Sequence, residues 1–211
     1  MLLVSEIFHS IQGESTRVGL PTVFVRLTGC PLRCRWCDSE YAFSGGESLT
    51  VAEVVARVME FDCPVVCVTG GEPLAQKDCL ALLHALCEAG RDVSLETSGA
   101  LDISGVDGRV SKIMDLKAPA SGESCANRWE NLRFLTPRDE IKCVLASPED
   151  YVWAKDMLVQ HSLAKICPVL FSPVQGELEP RELAGWVLRD RLPVRFQLQL
   201  HKILWGAQRG K

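Results

Sequence analysis

The chain is 211 residues long, 47% hydrophobic and 24% charged, with a formal net charge of -4. This length and balance predict a single globular domain over residues 1–211 with a substantial core, and no basic footprint that would argue for nucleic acid. No apolar run approaches membrane-spanning length, the first residues lack the basic start and long apolar core of a signal peptide, and the expected location is the cytoplasm.

Residues 3–11 are mostly apolar and predict a strand. It runs into a turn at Ser10-Ile11-Gln12-Gly13-Glu14-Ser15, where Gly13 is expected to supply an unusual backbone angle. Residues 22–28 predict a second strand, which delivers a loop carrying Cys30, Cys34 and Cys37 at C-x3-C-x2-C spacing. Thr50-Val51-Ala52-Glu53 is a capping box opening a helix to about residue 60, with Leu49 and Val54 placed as its hydrophobic staple. A strand at 64–68 ends in Thr69-Gly70-Gly71-Glu72-Pro73. A helix over 75–89 stops at Gly90. Strands follow at 92–97 and 110–116, then a short helix at 127–134 and a strand at 140–145. Pro148 marks the first turn of the next helix. The remaining expectations are a strand at 165–171, a helix at 180–188 and a half-buried strand in which Val194, Phe196, Leu198 and Leu200 face inward.

Three thiolates closely spaced in one loop can converge on one metal centre, and iron–sulfur clusters are held by cysteine thiolates. A cubic four-iron cluster normally takes four ligands, so three local ones leave an iron open to a small molecule. A structural zinc site normally closes with four Cys or His ligands, and the next histidine along the chain is His84. Of the ten cysteines, Cys63 and Cys67 lie in an apolar run, where residues four apart in a strand stand ~13 Å from each other. Cys79 and Cys87 fall on a helix face. These, with Cys125, Cys143 and Cys167, read as free thiols.

Strand and helix alternate from residue 22 almost to the end, which predicts an α/β fold with a mainly parallel sheet. Six such units are too few for a closed eight-stranded barrel. The unusual residues collect at strand ends: the cysteines, Gly70-Gly71-Glu72, Thr97-Ser98-Gly99, Asp115-Leu116-Lys117 and the stretch from Ser172 to Gln175. In parallel α/β sheets those ends face the ligand.

The cysteine spacing, with Trp36 just before the last cysteine, resembles the signature of the radical S-adenosylmethionine superfamily, and Gly70-Gly71-Glu72-Pro73 resembles its glycine-glycine-glutamate motif. The resemblance implies a partial open (β/α)6-type barrel and a 4Fe-4S cluster on Cys30, Cys34 and Cys37. It further implies that S-adenosylmethionine binds the open iron and is cleaved to a 5′-deoxyadenosyl radical. Ser10-Ile11-Gln12-Gly13-Glu14, Arg26, Cys37-Asp38-Ser39, Glu96-Thr97-Ser98-Gly99, Met114 to Pro119 and His201-Lys202 together resemble the 7-carboxy-7-deazaguanine synthase family over nearly the whole chain.

That family converts 6-carboxy-5,6,7,8-tetrahydropterin to 7-carboxy-7-deazaguanine with loss of ammonia, for 7-deazaguanine nucleosides such as queuosine. Carried onto this sequence, Ile11, Gln12, Gly13, Glu14 and Thr97 are expected at the pterin, and Arg26 at its carboxylate. Trp36, Cys37, Asp38, Gly70, Gly71, Glu72 and Gly99 are expected at S-adenosylmethionine, with Lys142, Ser172 and Gln175 as further cofactor contacts. The resemblance also implies a Mg2+ ion, an electron donor such as flavodoxin, and a homodimer.

The sequence departs from the family in having Ser39 where threonine usually contributes a magnesium-binding hydroxyl. It also runs on past His201-Lys202 through Trp205 to Lys211, which leaves a contact from its terminus to substrate open. Two other readings remain at this stage. One is a short radical activase acting on a partner protein, which has no need of Gln12-Gly13-Glu14 or Arg26. The other is a non-catalytic iron–sulfur redox module, which has no use for Gly70-Gly71-Glu72.

Overall fold

A computed structural model describes residues 1–206 and 208–211. Among the described residues nine strands form one open sheet: β1 (Leu2–Ile11), β2 (Pro21–Leu27), β3 (Glu47–Leu49), β4 (Val65–Gly70), β5 (Asp92–Thr97), β6 (Ser111–Asp115), β7 (Glu140–Leu145), β8 (Val169–Pro173) and β9 (Arg195–Phe196). Their order is β3-β1-β2-β4-β5-β6-β7-β8-β9. The β1–β2 and β1–β3 pairs are antiparallel. From β2 through β9 every pair is parallel. The outcome is the expected open α/β arrangement, with a short antiparallel edge at one side.

Helices α1 (Val51–Met59), α2 (Cys79–Glu88), α3 (Pro148–Gln160) and α4 (Pro180–Asp190) are joined by a C-terminal α5 (Leu200–Trp205). The capping box of α1 forms as expected: the Glu53 amide donates to Thr50 Oγ1 and the Thr50 amide donates to the Glu53 carboxylate. Alternation of strand and helix is incomplete, because the β5–β6 and β6–β7 connections carry no α-helix and the second uses 3-10 turns.

The sheet buries one face against helices. Val23, Val25, Leu27, Val66, Val68, Val93 and Leu95 pack with α1 and α2 residues in one cluster. Ile141, Cys143, Leu145, Val169 and Phe171 pack with α3 and α4 residues in a second. Side chains alternate along a strand, so residues one step out of phase face the other side, where the cavity lies.

Four expectations are corrected. The strand expected at 165–171 begins at Val169, after a 3-10 turn at Leu163–Lys165, because Pro168 has no N–H for the ladder. The helix expected from 75 starts at Cys79. Gln76 is held back by exchanging hydrogen bonds with Leu3 and reaching the Thr28 carbonyl. Val194 packs on the core as expected, but from Phe196 on the expected inside and outside are exchanged: Gln197 is 7% exposed while Phe196 and Leu198 are each 37% exposed. Gln197 turns inward because it clamps Ser15, accepting from its amide (2.8 Å) and donating to its carbonyl (2.6 Å). Leu200, expected in that strand, opens α5 instead.

The turn after β1 is a larger object than its sequence suggests. Residues 12–19 cross from β1 to the far side of the sheet, where the Leu200 amide donates to the Gly13 carbonyl (2.9 Å). Thr16 donates to Glu140 at the start of β7. Left-handed backbone falls at Ser15, φ 66°, and Gly19, φ 90°, rather than at Gly13. Gly13 is required for a different reason: a Cβ there would lie 2.3 Å from His201 Nδ1.

Candidate active site

A cavity of about 680 Å3 occupies the side of the sheet away from the helices, within the range of small-molecule sites. Strand parity supplies one wall. Phe24 and Arg26 from β2, Thr69 from β4, Glu96 from β5, Ile113 and Asp115 from β6, and Lys142 and Val144 from β7 all line it. On β2, β4, β5 and β7 the alternate positions are core residues named above, and on β6 that position is Met114.

The loop after β2 places Cys30, Cys34 and Cys37 on the same cavity, with Trp36 beside them. Its base is stitched to the end of β4, where the Gly71 amide donates to the Leu27 carbonyl (3.2 Å) and the Glu72 amide to the Gly29 carbonyl (2.8 Å). The two glycines explain the closeness. A Cβ on Gly70 would lie 2.2 Å from the Leu27 carbonyl oxygen, and one on Gly71 would lie 2.3 Å from that of Gly29 and 2.7 Å from Cys30 Cβ. Burial raises all three thiols, and Lys117 opposes that shift at each. Among the described residues no three His, Cys, Asp or Glu side chains converge on a single-ion position. Three cavity-facing thiols without a fourth ligand fit a cluster with one iron left for a ligand better than a closed zinc site.

The cavity has a polar floor. Lys142 Nζ lies 2.5 Å from Glu14 and 3.6 Å from Asp115, while Lys117 Nζ is 3.0 Å from Asp115. Glu14 also accepts from Gln199 (2.8 Å). Burial pushes the Glu14 carboxyl up, but Lys142, His201 and Gln199 together outweigh it and the group ends below its ordinary value. Burial likewise pushes Lys142 down, and Glu14 with Asp115 returns it to well above. Both are therefore charged. Glu96 accepts from Gln12 (3.3 Å) and Thr69 (2.9 Å). The result is an array of fixed donors and acceptors suited to a flat, heteroatom-rich molecule.

Arg26 stands at another side. Its Nε donates to Glu6 (2.7 Å), and among the described residues neither Nη makes a hydrogen bond. The open end of the fork is what a ligand carboxylate would need.

The C-terminal segment covers the site. Lys202 Nζ reaches Asp38 at 3.1 Å and His201 Nε2 lies 3.9 Å from it. Burial would raise the Asp38 carboxyl, but His201 and Lys202 hold it well below the carboxylate range. Gly206 and residues 208–211 line the cavity, and Arg209 stacks 4.1 Å over the Tyr41 ring. Ala207, within the tail considered above, lies outside the described residues.

Most expected site residues therefore meet in one cavity: Ile11, Gln12, Gly13, Glu14, Arg26, the three cysteines, Trp36, Asp38, Ser39, Gly70, Gly71, Thr97, Lys142 and Gln175 line it. Glu72, Gly99 and Ser172 do not. The Glu72 side chain is fully buried and accepts from Leu74, Thr97 and Ser98, including 2.7 Å from the Ser98 amide. It braces the end of β5 instead of facing the cavity. Gly99, φ 72°, sits against Met114, and its carbonyl accepts from Asn131 (3.0 Å). Ser172 is fully buried, its Oγ without a hydrogen-bond partner among the described residues. Sequence reasoning assigned no role to Phe8 and Phe24, aromatic residues in apolar runs, or to Tyr41, which follows the cysteine loop.

A parallel sheet with an open three-thiolate loop at its strand ends defines the radical S-adenosylmethionine class, and residues 24–119 match the family model of the Radical SAM superfamily. A 7-carboxy-7-deazaguanine synthase of Chlorobaculum tepidum is 51% identical over 97% of this chain and 94% of its own. One of Koribacter versatilis is 44% identical, covering 97% of each. The chain belongs to the 7-carboxy-7-deazaguanine synthase family. Among solved structures, QueE from Escherichia coli superposes with a TM-score of 0.78 at 22% identity, over 95% of this chain and 94% of that one. SuiB of Streptococcus suis gives 0.57 at 14% identity, over 81% of this chain and 46% of its own. These two likenesses bear on the fold alone.

Proposed function

We propose that this enzyme converts 6-carboxy-5,6,7,8-tetrahydropterin to 7-carboxy-7-deazaguanine with loss of ammonia, on the route to 7-deazaguanine nucleosides such as queuosine. The observation that carries the reading is one cavity that holds three free thiols, an open arginine fork and a charged floor. A 4Fe-4S cluster on Cys30, Cys34 and Cys37 with S-adenosylmethionine supplies, when bound, the one-electron chemistry that yields the radical. The test is anaerobic incubation of reconstituted protein with reductant, S-adenosylmethionine and the pterin, the products read by mass spectrometry. Absence of the deazaguanine, with S-adenosylmethionine still cleaved, overturns the substrate assignment.

In this reading Arg26 takes the substrate carboxylate on its two Nη groups, while Gln12, Glu14 and Thr97 contact the pterin ring. Arg26→Lys keeps the charge and loses the two-pronged geometry. Its affinity for the pterin is expected to fall roughly tenfold or more, the loss of a charge-assisted bond, while cleavage of S-adenosylmethionine without substrate persists. Equilibrium binding of the pterin checks this, and unchanged affinity places Arg26 outside the substrate contacts.

Magnesium at Ser39 is the finer part of the proposal. Ser39 Oγ lies on the cavity and donates to Asp38 Oδ1 (3.0 Å), which leaves its lone pairs for an ion. A neutral hydroxyl is a weak ligand, so substrate and water would complete the octahedral shell. Ser39→Ala is expected to blunt stimulation of turnover by magnesium and Ser39→Thr to preserve it. An identical magnesium titration in wild type and Ser39→Ala removes the metal role. The reading further includes an electron donor such as flavodoxin, cytoplasmic location and a homodimer. Sedimentation at micromolar concentration tests the last.

A further inference from the structure

We propose that Glu6 is a positioning residue for substrate binding: with Tyr41 it locks the Arg26 guanidinium so that both Nη groups remain free to face the substrate carboxylate. This rests on the assignment of Arg26 to that carboxylate.

The device begins with a β-bulge. Val4 pairs with Leu27, but Glu6, not Ser5, pairs with Arg26, so one extra residue enters β1. Before the bulge the core face of β1 is Leu2 and Val4; after it, Ile7 packs on the same core. The bulge thus shifts the strand's phase by one and turns Glu6 and Phe8 toward the cavity side. In unbroken register Ser5 would oppose Arg26, and a serine could neither balance the guanidinium charge nor reach its Nε. Bulges that re-aim a side chain recur beside active sites.

Around Arg26 the bracket is complete. Phe8 and Phe24 are paired directly across the two strands and stacked, with ring centroids 5.0 Å apart. The Arg26 Cζ lies 5.9 Å from the Phe8 ring and 5.8 Å from that of Tyr41. Glu6 Oε1 accepts from both Arg26 Nε and the Tyr41 hydroxyl, each at 2.7 Å. Arginine carries several rotatable bonds, and a free one would lose rotamer entropy on binding. Here one carboxylate oxygen and two rings take up that freedom before any ligand arrives. The choice of Nε matters too. A carboxylate gripping the Nη pair would compete with substrate, whereas a bond to Nε leaves the fork open. Glu6 itself does not line the cavity, so it acts through Arg26.

The test measures equilibrium binding of 6-carboxy-5,6,7,8-tetrahydropterin, together with kcat, in the reconstituted protein. Glu6→Gln is expected to weaken binding roughly tenfold and Tyr41→Phe roughly threefold, as for a charged and a neutral hydrogen-bond partner. In both, kcat at saturating substrate and iron content stay close to wild type. Because Glu6 works through Arg26, adding Glu6→Gln to Arg26→Lys should weaken binding no further.

If Arg26→Lys weakens binding while Glu6→Gln and Tyr41→Phe do not, the positioning role is overturned and the substrate assignment stands. Additive losses in the double variant also overturn it, since Glu6 would then act independently of Arg26. Unchanged binding in Arg26→Lys itself overturns the carboxylate assignment and the bracket with it. Should Glu6→Gln not fold, Tyr41→Phe decides alone, because it removes one hydroxyl and keeps the ring.

Discussion

Replacing Cys30, Cys34 or Cys37 by alanine is expected to abolish both iron binding and turnover, taking the protein from roughly four irons per chain to almost none. All three thiols line the cavity, and among the described residues no other cysteine does. A three-ligand cluster has no spare protein ligand, so removing one thiolate removes the hold on a corner that nothing nearby can replace. Cys63, Cys67 and Cys79 are the internal controls. Cys63 and Cys79 belong to the hydrophobic core, and Cys67 is fully buried on β4 opposite Ser94; none of the three lines the cavity. Alanine there should cost at most a few kcal/mol of stability and leave iron content intact. Iron analysis of anaerobically reconstituted variants decides the matter: wild-type iron in Cys34→Ala, or lost iron in Cys67→Ala, would falsify the cluster assignment.

Gly71→Ala is expected to be nearly as damaging, although it adds one methyl group and touches no charge. The new Cβ would stand 2.3 Å from the Gly29 carbonyl oxygen and 2.7 Å from Cys30 Cβ. Both obstacles belong to the base of the cysteine loop, and backbone cannot rotate aside as the end of a flexible side chain can. The end of β4 and the loop must separate, stretching the bonds that tie the Gly71 and Glu72 amides to Leu27 and Gly29. Overpacking of this kind costs about 1–3 kcal/mol. A displacement of ~1 Å at a reacting group can cost on the order of 100-fold in rate. The expected result is a lower melting temperature, reduced iron and turnover down by about that factor. Gly185→Ala is the contrast: on α4 a Cβ meets nothing within 4 Å, and alanine in a helix is favoured by up to about 1 kcal/mol. Equal iron and turnover in Gly71→Ala and wild type would show that the loop yields without cost.

The glycine pair also marks where local reasoning stops. Gly70-Gly71-Glu72 stands out in the sequence as a motif expected at S-adenosylmethionine. The tertiary structure gives the glycines a cause, contact between two chain segments some forty residues apart, and it turns Glu72 inward to brace Thr97 and Ser98.

What the sequence determined by itself is what short-range chemistry controls. The three-cysteine loop, the capping box at Thr50 and Glu53, and strands β5 and β7, found at the expected residues, depend on neighbours within a few positions. The two-residue period of the strands then selects which residues look away from the helices, and with it Arg26, Glu96, Asp115 and Lys142 on the cavity wall.

Only the tertiary structure decided the rest, because it depends on pairings that no local pattern encodes. Lys142 meets Glu14 across 128 positions and Gln197 clamps Ser15 across 182, which is why an apparently ordinary turn is a segment spanning the sheet. The same clamp turns Gln197 inward at the end of the last strand, since satisfying a buried backbone amide and carbonyl outweighs the burial of Phe196 and Leu198. A single inserted residue at Ser5 sets whether Glu6 faces the helices or Arg26. In a structure of period two, one residue of register exchanges inside for outside, and register is settled by the partner strand rather than by the strand itself.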